Sequence, residues 1–250
     1  MNDKLKLNIY AFITVFIWAS AFPLTKIACR QFSPNALGLT RCVIAACFLL
    51  FIGTFSHIRK PFRRKDILYF ITSGCMGFSL YMIFFNTGML TLTSATSSIV
   101  IAATPIVTAV GAYKLYGEKI KAAGWLSIAL AFIGVVILLL WNGILSINIG
   151  LIWTLAATLV FGGYNLLNRK LSVIGYTSVE IVTYSMICGA ILLLVFAPQT
   201  IQAIRGASPQ GIAVVIYMGI MPSAISYVLW AKAMDLAEKT NEVTNYMFIT

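Results

Sequence analysis

Acid is what this sequence has least of. Among 250 residues there are 7 Asp or Glu and 1 His, against 18 Lys or Arg. Charged residues make up 10% of the chain, where an ordinary soluble domain carries about a quarter. The few acids are not paired inside any apolar stretch, which leaves little for general acid–base or metal-dependent catalysis. The cysteines (Cys29, Cys42, Cys47, Cys75, Cys188) form no CxxC, so neither a metal centre nor a disulfide framework is expected. No GxxxxGK[ST] stretch is present, which excludes a P-loop and direct ATP drive on this chain. No catalytic residue, cofactor or metal is therefore expected.

What the sequence has instead is apolar length. Hydrophobic residues are 60% of it, and the mean hydropathy is +0.92. A helix needs about 20 apolar residues to cross the hydrocarbon core. Eight runs qualify, near 8–28, 36–56, 67–88, 95–115, 122–142, 149–168, 178–197 and 210–232, and a ninth begins near Thr244. The runs are too continuous for barrel strands, which alternate apolar and polar residues. An all-α, polytopic membrane bundle is expected.

The basic residues alternate between successive loops. Lys4 and Lys6 precede the first run, and Arg59, Lys60, Arg63, Arg64 and Lys65 follow the second. Lys114, Lys119 and Lys121, then Arg169 and Lys170, then Lys232 and Lys239 mark every second loop thereafter. The other side holds Lys26, Arg30, Arg41 and Arg205. Basic loops stay cytoplasmic, so the N-terminus is expected inside, in a bacterial cytoplasmic membrane. The net charge of +11 is then topology, with some contact to lipid headgroups, and no nucleic-acid partner is expected. Residues 1–21 have the outline of a secretory signal ending at Ala19-Ser20-Ala21. The apolar run continues past it and recurs later in the chain, so no cleavage is expected.

The two halves resemble each other. Trp18-Ala-Ser-Ala-Phe-Pro-Leu-Thr-Lys26 aligns with Phe161-Gly-Gly-Tyr-Asn-Leu-Leu-Asn-Arg169, aromatic on aromatic and basic on basic. Thr40 then meets Thr183, Leu49 meets Leu192, Gly74 meets Gly219 and Met89 meets Met234. A first unit of five spans (1–142) forces the second (149–250) to enter the membrane upside down. Inverted repeats are a transporter architecture, with substrate bound between the halves near the midplane. By this alignment the second unit is expected to stop inside its fourth helix, a ten-helix plan truncated within the ninth helix.

Taken together these residues resemble the EamA family of the drug/metabolite transporter superfamily. The resemblance rests on Trp18-Ala-Ser-Ala-Phe22 with Lys26, on Pro34 and Arg41, and on Thr93-Ser94-Ala95-Thr96-Ser97-Ser98 with Pro105. It closes with Tyr116-Gly117-Glu118-Lys119, Gly124 and Gly134. The resemblance implies export of small metabolites, often amino acids or amphipathic compounds, through a central cavity.

No charged residue lies near a span centre, which removes the usual pointer to ion coupling. Arg41 and Glu180 lie a turn or two inside span ends and read as snorkelling; His57 reads as interfacial. The candidate substrate-binding residues are therefore polar and aromatic. They are Trp18 and Ser20 on the first span, Tyr81 and Asn86 on the third, Tyr164 and Asn165 on the sixth, and Tyr227 and Trp230 on the eighth. Trp and Tyr offer a flat apolar face and one donor, and a buried Asn needs a partner. Packing or a place in the interfacial aromatic belt is the competing reading of each. Ala123, Ser127 and Ala131 form a small-residue face for helix packing, and Pro23, Pro105 and Pro222 are expected to kink their helices. The function expected is secondary transport of a neutral or zwitterionic small metabolite. The alternatives are a non-transporting or lipid-handling membrane protein and, behind it, a membrane enzyme.

Overall fold

Lipid offers a backbone no water to bond, so each apolar run must close its hydrogen bonds internally. The computed structural model describes residues 2–55, 63–118, 125–126, 129–130, 133–134, 137 and 149–249. Every regular element among them is helical. They are α1 (Asp3–Ala28) and α2 (Pro34–Phe55), α3 (Arg64–Thr91), α4 (Ser94–Tyr116), α5 (Ile149–Ile174), α6 (Ser178–Gly206) and α7 (Pro209–Leu236), and the short α8 (Thr240–Thr244). The first seven are long and apolar enough to cross a membrane. The run expected at 122–142 lies almost wholly outside the described residues, as does His57. The last helix begins at Thr240, a turn earlier than its apolar run. Several other helices also outrun their apolar cores, α6 reaching Gly206 through polar residues such as Gln199 and Arg205.

The outside of the bundle is what a membrane protein needs. Phe16 and Val195 are 73% exposed, and Phe51 and Leu68 are nearly as bare. In water such surface would be a liability; in hydrocarbon it costs nothing.

Helix ends are tied off by side chains. Thr93 Oγ1 accepts the Thr96 N–H (3.1 Å) at the start of α4. At the start of α6, Thr177 and Glu180 form a reciprocal capping box, Glu180 Oε2 accepting the Thr177 N–H at 2.8 Å. Glu180 is therefore no snorkelling residue: it is 1% exposed and closes a helix terminus. Gly117 ends α4 with φ of 65°, a left-handed cap that favours glycine. It delivers Glu118 to the start of α8, where its carboxylate accepts from the Thr240 N–H (3.0 Å) and Oγ1–H (2.8 Å).

The main helix contacts all join early helices to late ones. α1 lies along the second half of α7, and α5 along the second half of α3. α2 packs on α6 and on the start of α7, and the start of α3 packs on α6. Two of these crossings depend on glycine. A Cβ on Gly74 would sit 2.5 Å from the Ser185 carbonyl of α6, and one on Gly219 would sit 2.5 Å from Ile44 of α2.

Four helices are irregular within the bundle, α6 through a 3-10 turn at Leu194–Phe196. α3 takes a π turn at Cys75–Leu80 and α7 another at Met221–Ile225. α4 breaks at Ala102–Ala103 and restarts with Pro105 in its first turn. Pro222 and Pro105 account for two of these. At the π turn of α3, Ser79 Oγ donates to the Gly189 carbonyl (2.9 Å). Pro23 lies inside α1, which is continuous through it.

Candidate functional site

Three of the four irregularities border one cavity. Tyr81 follows the π turn of α3, Ile101 immediately precedes the break in α4, and Pro222 sits in the π turn of α7; all three line it. Irregular backbone at membrane depth is tolerated where it lines a cavity or is buried in protein. The remaining walls are mostly aromatic: Trp18 and Phe22 from α1, Phe85 from α3, Phe161 from α5 and Tyr227 from α7. Met247, in the turn after α8, closes another side. The space is small, about 30 Å³, with room for about two waters. A wider groove lined by Ile67, Ile71, Ile187 and Ile191 lies among exposed side chains on the outside of the bundle and is apolar throughout.

Trp18 is the hub of the aromatic wall. Its ring lies 5.5 Å from Phe161, 5.4 Å from Tyr227 and 5.1 Å from Trp230, centroid to centroid. Its Nε1–H donates to the Pro222 carbonyl at 2.9 Å. That carbonyl belongs to the π turn, where helical bonding is disturbed, so the indole closes the gap. Tyr81 stacks on Phe85 with planes 8° apart and meets Phe161 at 4.8 Å. Tyr227 donates to the Gly77 carbonyl, in the π turn of α3, at 3.2 Å.

Of the residues singled out from the sequence, Trp18, Tyr81 and Tyr227 line the cavity. Tyr164, Asn165 and Trp230 form a layer beside it. Trp230 Nε1–H donates to Asn165 Oδ1 at 2.9 Å, and Asn165 Nδ2 donates to Thr108 at 3.3 Å. Tyr164 packs on Phe161 and Tyr227 and accepts from Asn168 at 3.3 Å. All three are buried, so the interfacial-belt reading does not describe them. Ser20 and Asn86 are placed elsewhere. Ser20 is two residues, about 200° of helix, from Trp18, and bonds Tyr217 on the outer side of α7 at 3.1 Å. Asn86 donates to the Pro34 carbonyl at the start of α2, 3.0 Å away.

One lining residue was read wrongly from the sequence. Arg41 does not snorkel. It is 3% exposed and lines the cavity. Its Nε donates to Ser223 Oγ at 3.1 Å, while Nη1 is buried without a hydrogen-bond partner among the described residues. The position of Arg41, two turns into α2, suggested escape to the interface; the packing of α2 between α6 and α7 closes that route. Further buried hydroxyls without a partner among the described residues, on Thr25, Ser97 and Thr244, stand about one turn from the lining residues Phe22, Ile101 and Met247. The polar character around the cavity therefore exceeds what its aromatic lining suggests.

Comparison with known proteins agrees with this architecture. A profile of the EamA-like transporter family matches residues 5–140 and 148–245. A protein of Streptantibioticus cattleyicolor named "Probable terminal-alkyne amino-acid exporter" is 28% identical over 92% of this chain and 77% of its own length. The "Uncharacterized transporter YdfC" of Bacillus subtilis is 26% identical over 95% of this chain and 77% of its own. An "Uncharacterized transporter" of Archaeoglobus fulgidus is 27% identical over 90% and 79%. These relatives are named as transporters, not enzymes. A solved crystal structure superposes with a TM-score of 0.70 over 97% of this chain and 85% of that one, at 14% identity, a likeness of fold.

Proposed function

The chain belongs to the EamA-like transporter family, and from that premise we propose that it exports a small neutral or zwitterionic metabolite, such as an amino acid, by alternating access. The observation that carries this is the central cavity. It is framed by three broken helices, walled by aromatic rings and reached by one buried cation. Broken helices around a midplane site are a recurring device of secondary transporters. The relative named "Probable terminal-alkyne amino-acid exporter" supports the substrate class.

The two-unit reading, residues 1–142 and 149–250, accounts for the packing. If the halves are inverted repeats, α1 and α5 are mates, as are α3 and α7, and α2 and α6. An exchange of mates then turns the α1–α7 contact into the α5–α3 contact and returns α2–α6 to itself, and all three are major contacts. The aligned glycines Gly74 and Gly219 each make a tight crossing onto a mate of the other's partner. Both mates α3 and α7 carry a π turn just after that glycine. The aligned Trp18 and Phe161 meet across the cavity. Halves so related rock in either direction at similar cost, giving one state open to each side.

The cytoplasmic membrane, with the N-terminus inside, follows from the basic loops. In that orientation the Glu118–Thr240 bonds close the cytoplasmic end. Arg169 adds to the closure, donating to the carbonyls of Ala237 (2.8 Å) and Glu238 (2.9 Å). With room for about two waters, the cavity has to widen to take a metabolite.

The test is release from liposomes holding the purified full-length protein. They are loaded in turn with the common L-amino acids, short amines and small amphipathic compounds. The expected result is release of a subset, faster than from protein-free liposomes. No release across the whole panel sinks the reading.

A further inference from the structure

Arg41 is a cation buried in a place that holds no anion. All seven acidic residues lie at the end of the bundle that carries the N-terminus: Asp3, Asp66 and Glu180 where α1, α3 and α6 begin, and Glu118, Asp235, Glu238 and Glu242 around the junction of α4, α7 and α8. Arg41 stands on α2 two turns from the opposite end, where the other cations are Lys26, Arg30 and Arg205. Its polar partner among the described residues is the neutral hydroxyl of Ser223, bonded to Nε. Nη1 has none. A charge kept out of water costs several kcal/mol unless an opposite charge or a full set of hydrogen bonds compensates it. Neither is supplied by the described residues, and the unpartnered nitrogen belongs to a side chain that lines the cavity.

We infer that Arg41 is the substrate's carboxylate receptor, so that this protein takes small molecules bearing a carboxylate and passes over the matching carboxamides. The inference rests on the transport reading above and narrows its substrate class. A guanidinium presents planar forked donors that match a carboxylate. Ser223 holds the Nε edge in place, which fixes the plane of the fork. A phosphate carries up to about two charges at neutral pH and would meet a single cation here, so one carboxylate is the better balance. The aromatic rings of Trp18, Phe161 and Tyr227 take the rest of the molecule, and their faces suit an ammonium as well as an apolar chain. The alignment of the halves places Tyr184 opposite Arg41, so the cation occurs in one unit only. A site of near-symmetric halves thereby gains a direction, with the carboxylate held on the α2 side.

The experiment measures binding and movement separately on the purified full-length protein. Binding is read by tryptophan fluorescence, to which Trp18 contributes from the cavity wall, and by thermal unfolding. The probes are the common L-amino acids and their carboxamides. Movement is read by release of the same compounds from liposomes. The wild type is expected to bind a subset of the acids and to bind the matching amides about tenfold more weakly or less. Tenfold corresponds to ~1.4 kcal/mol, about the low end for a hydrogen bond to a charged group. Arg41→Gln should abolish the preference, and Arg41→Lys should keep part of it. The acid-to-amide comparison needs no variant, so misfolding of Arg41→Gln would not spare the inference. Equal binding of acids and amides, or no binding of any acid, overturns it. Binding with the expected preference but no movement would leave the carboxylate site standing and remove the transport reading. Movement without the preference would do the reverse.

Discussion

At the scale of single residues, hydrogen-bond partners separate function from packing. Trp18 is bonded through Nε1 to Pro222 and also offers its ring to the cavity. Trp18→Ala is expected to lower transport per folded molecule more than it lowers the unfolding temperature. Trp18→Phe, which keeps a ring and loses the bond, should fall between. Efflux normalised to the monodisperse fraction decides: unchanged efflux in Trp18→Ala means that the ring only packs. Asn165 is the opposite case. It is fully buried and serves both Trp230 and Thr108. Asn165→Leu leaves a buried indole N–H unpaired, at a cost of about 1–3 kcal/mol, and should lower the unfolding temperature with the substrate profile intact. A changed profile at full stability would mean that Asn165 faces the substrate after all.

At the scale of helices, close crossings and irregular turns matter more than the apolar stripe. α3 and α6 touch at Gly74 and Gly189, and a Cβ on either meets the other's backbone within 3 Å. Gly74→Ala therefore has to push two helices apart, and overpacking of this kind costs about 1–3 kcal/mol. Gly206→Ala is the control, since nothing lies within 4 Å of a Cβ there. Thermal unfolding in detergent should drop clearly for the first and hardly move for the second; equal behaviour would deny the crossing. Sequence reading anticipated disturbed helices at Pro105 and Pro222 because proline removes a donor. The π turn in α3 contains no proline and left no comparable mark, so the site's third irregular edge was not legible.

At the scale of the whole molecule, the placement of charge sets the topology. The proposed orientation, N-terminus inside, requires that a cysteine replacing the exposed Lys4 resist a membrane-impermeant reagent in intact cells and that one replacing the exposed Arg205 react. Both are made in a background freed of the native cysteines; the reverse pattern would invert the protein in the membrane. The latch between Glu118 and Thr240 ties the end of α4 to the start of α8. Glu118→Ala removes two charge-assisted bonds and is expected to destabilise the closed arrangement by about 1–3 kcal/mol. The readout is faster proteolysis at the α7–α8 junction; an unchanged rate would show that the latch contributes nothing to closure.

Composition and the spacing of apolar runs determined by themselves that this chain crosses a membrane repeatedly as helices, because a backbone in hydrocarbon has few ways to satisfy itself. The order of motifs such as Trp18-Ala-Ser-Ala-Phe22 and Tyr116-Gly117-Glu118 was enough for the family. Tertiary structure alone decided which polar residues face the cavity. Ser20 and Trp18 are two residues apart and point to different neighbours, a matter of helix rotation. Arg41 sits at the same depth whether α2 lies at the edge of the bundle or within it. Only the packing of α6 and α7 around it turned a snorkelling residue into a buried cation. Depth in the membrane is written along the chain; direction around a helix axis acquires meaning only when the neighbouring helices are in place.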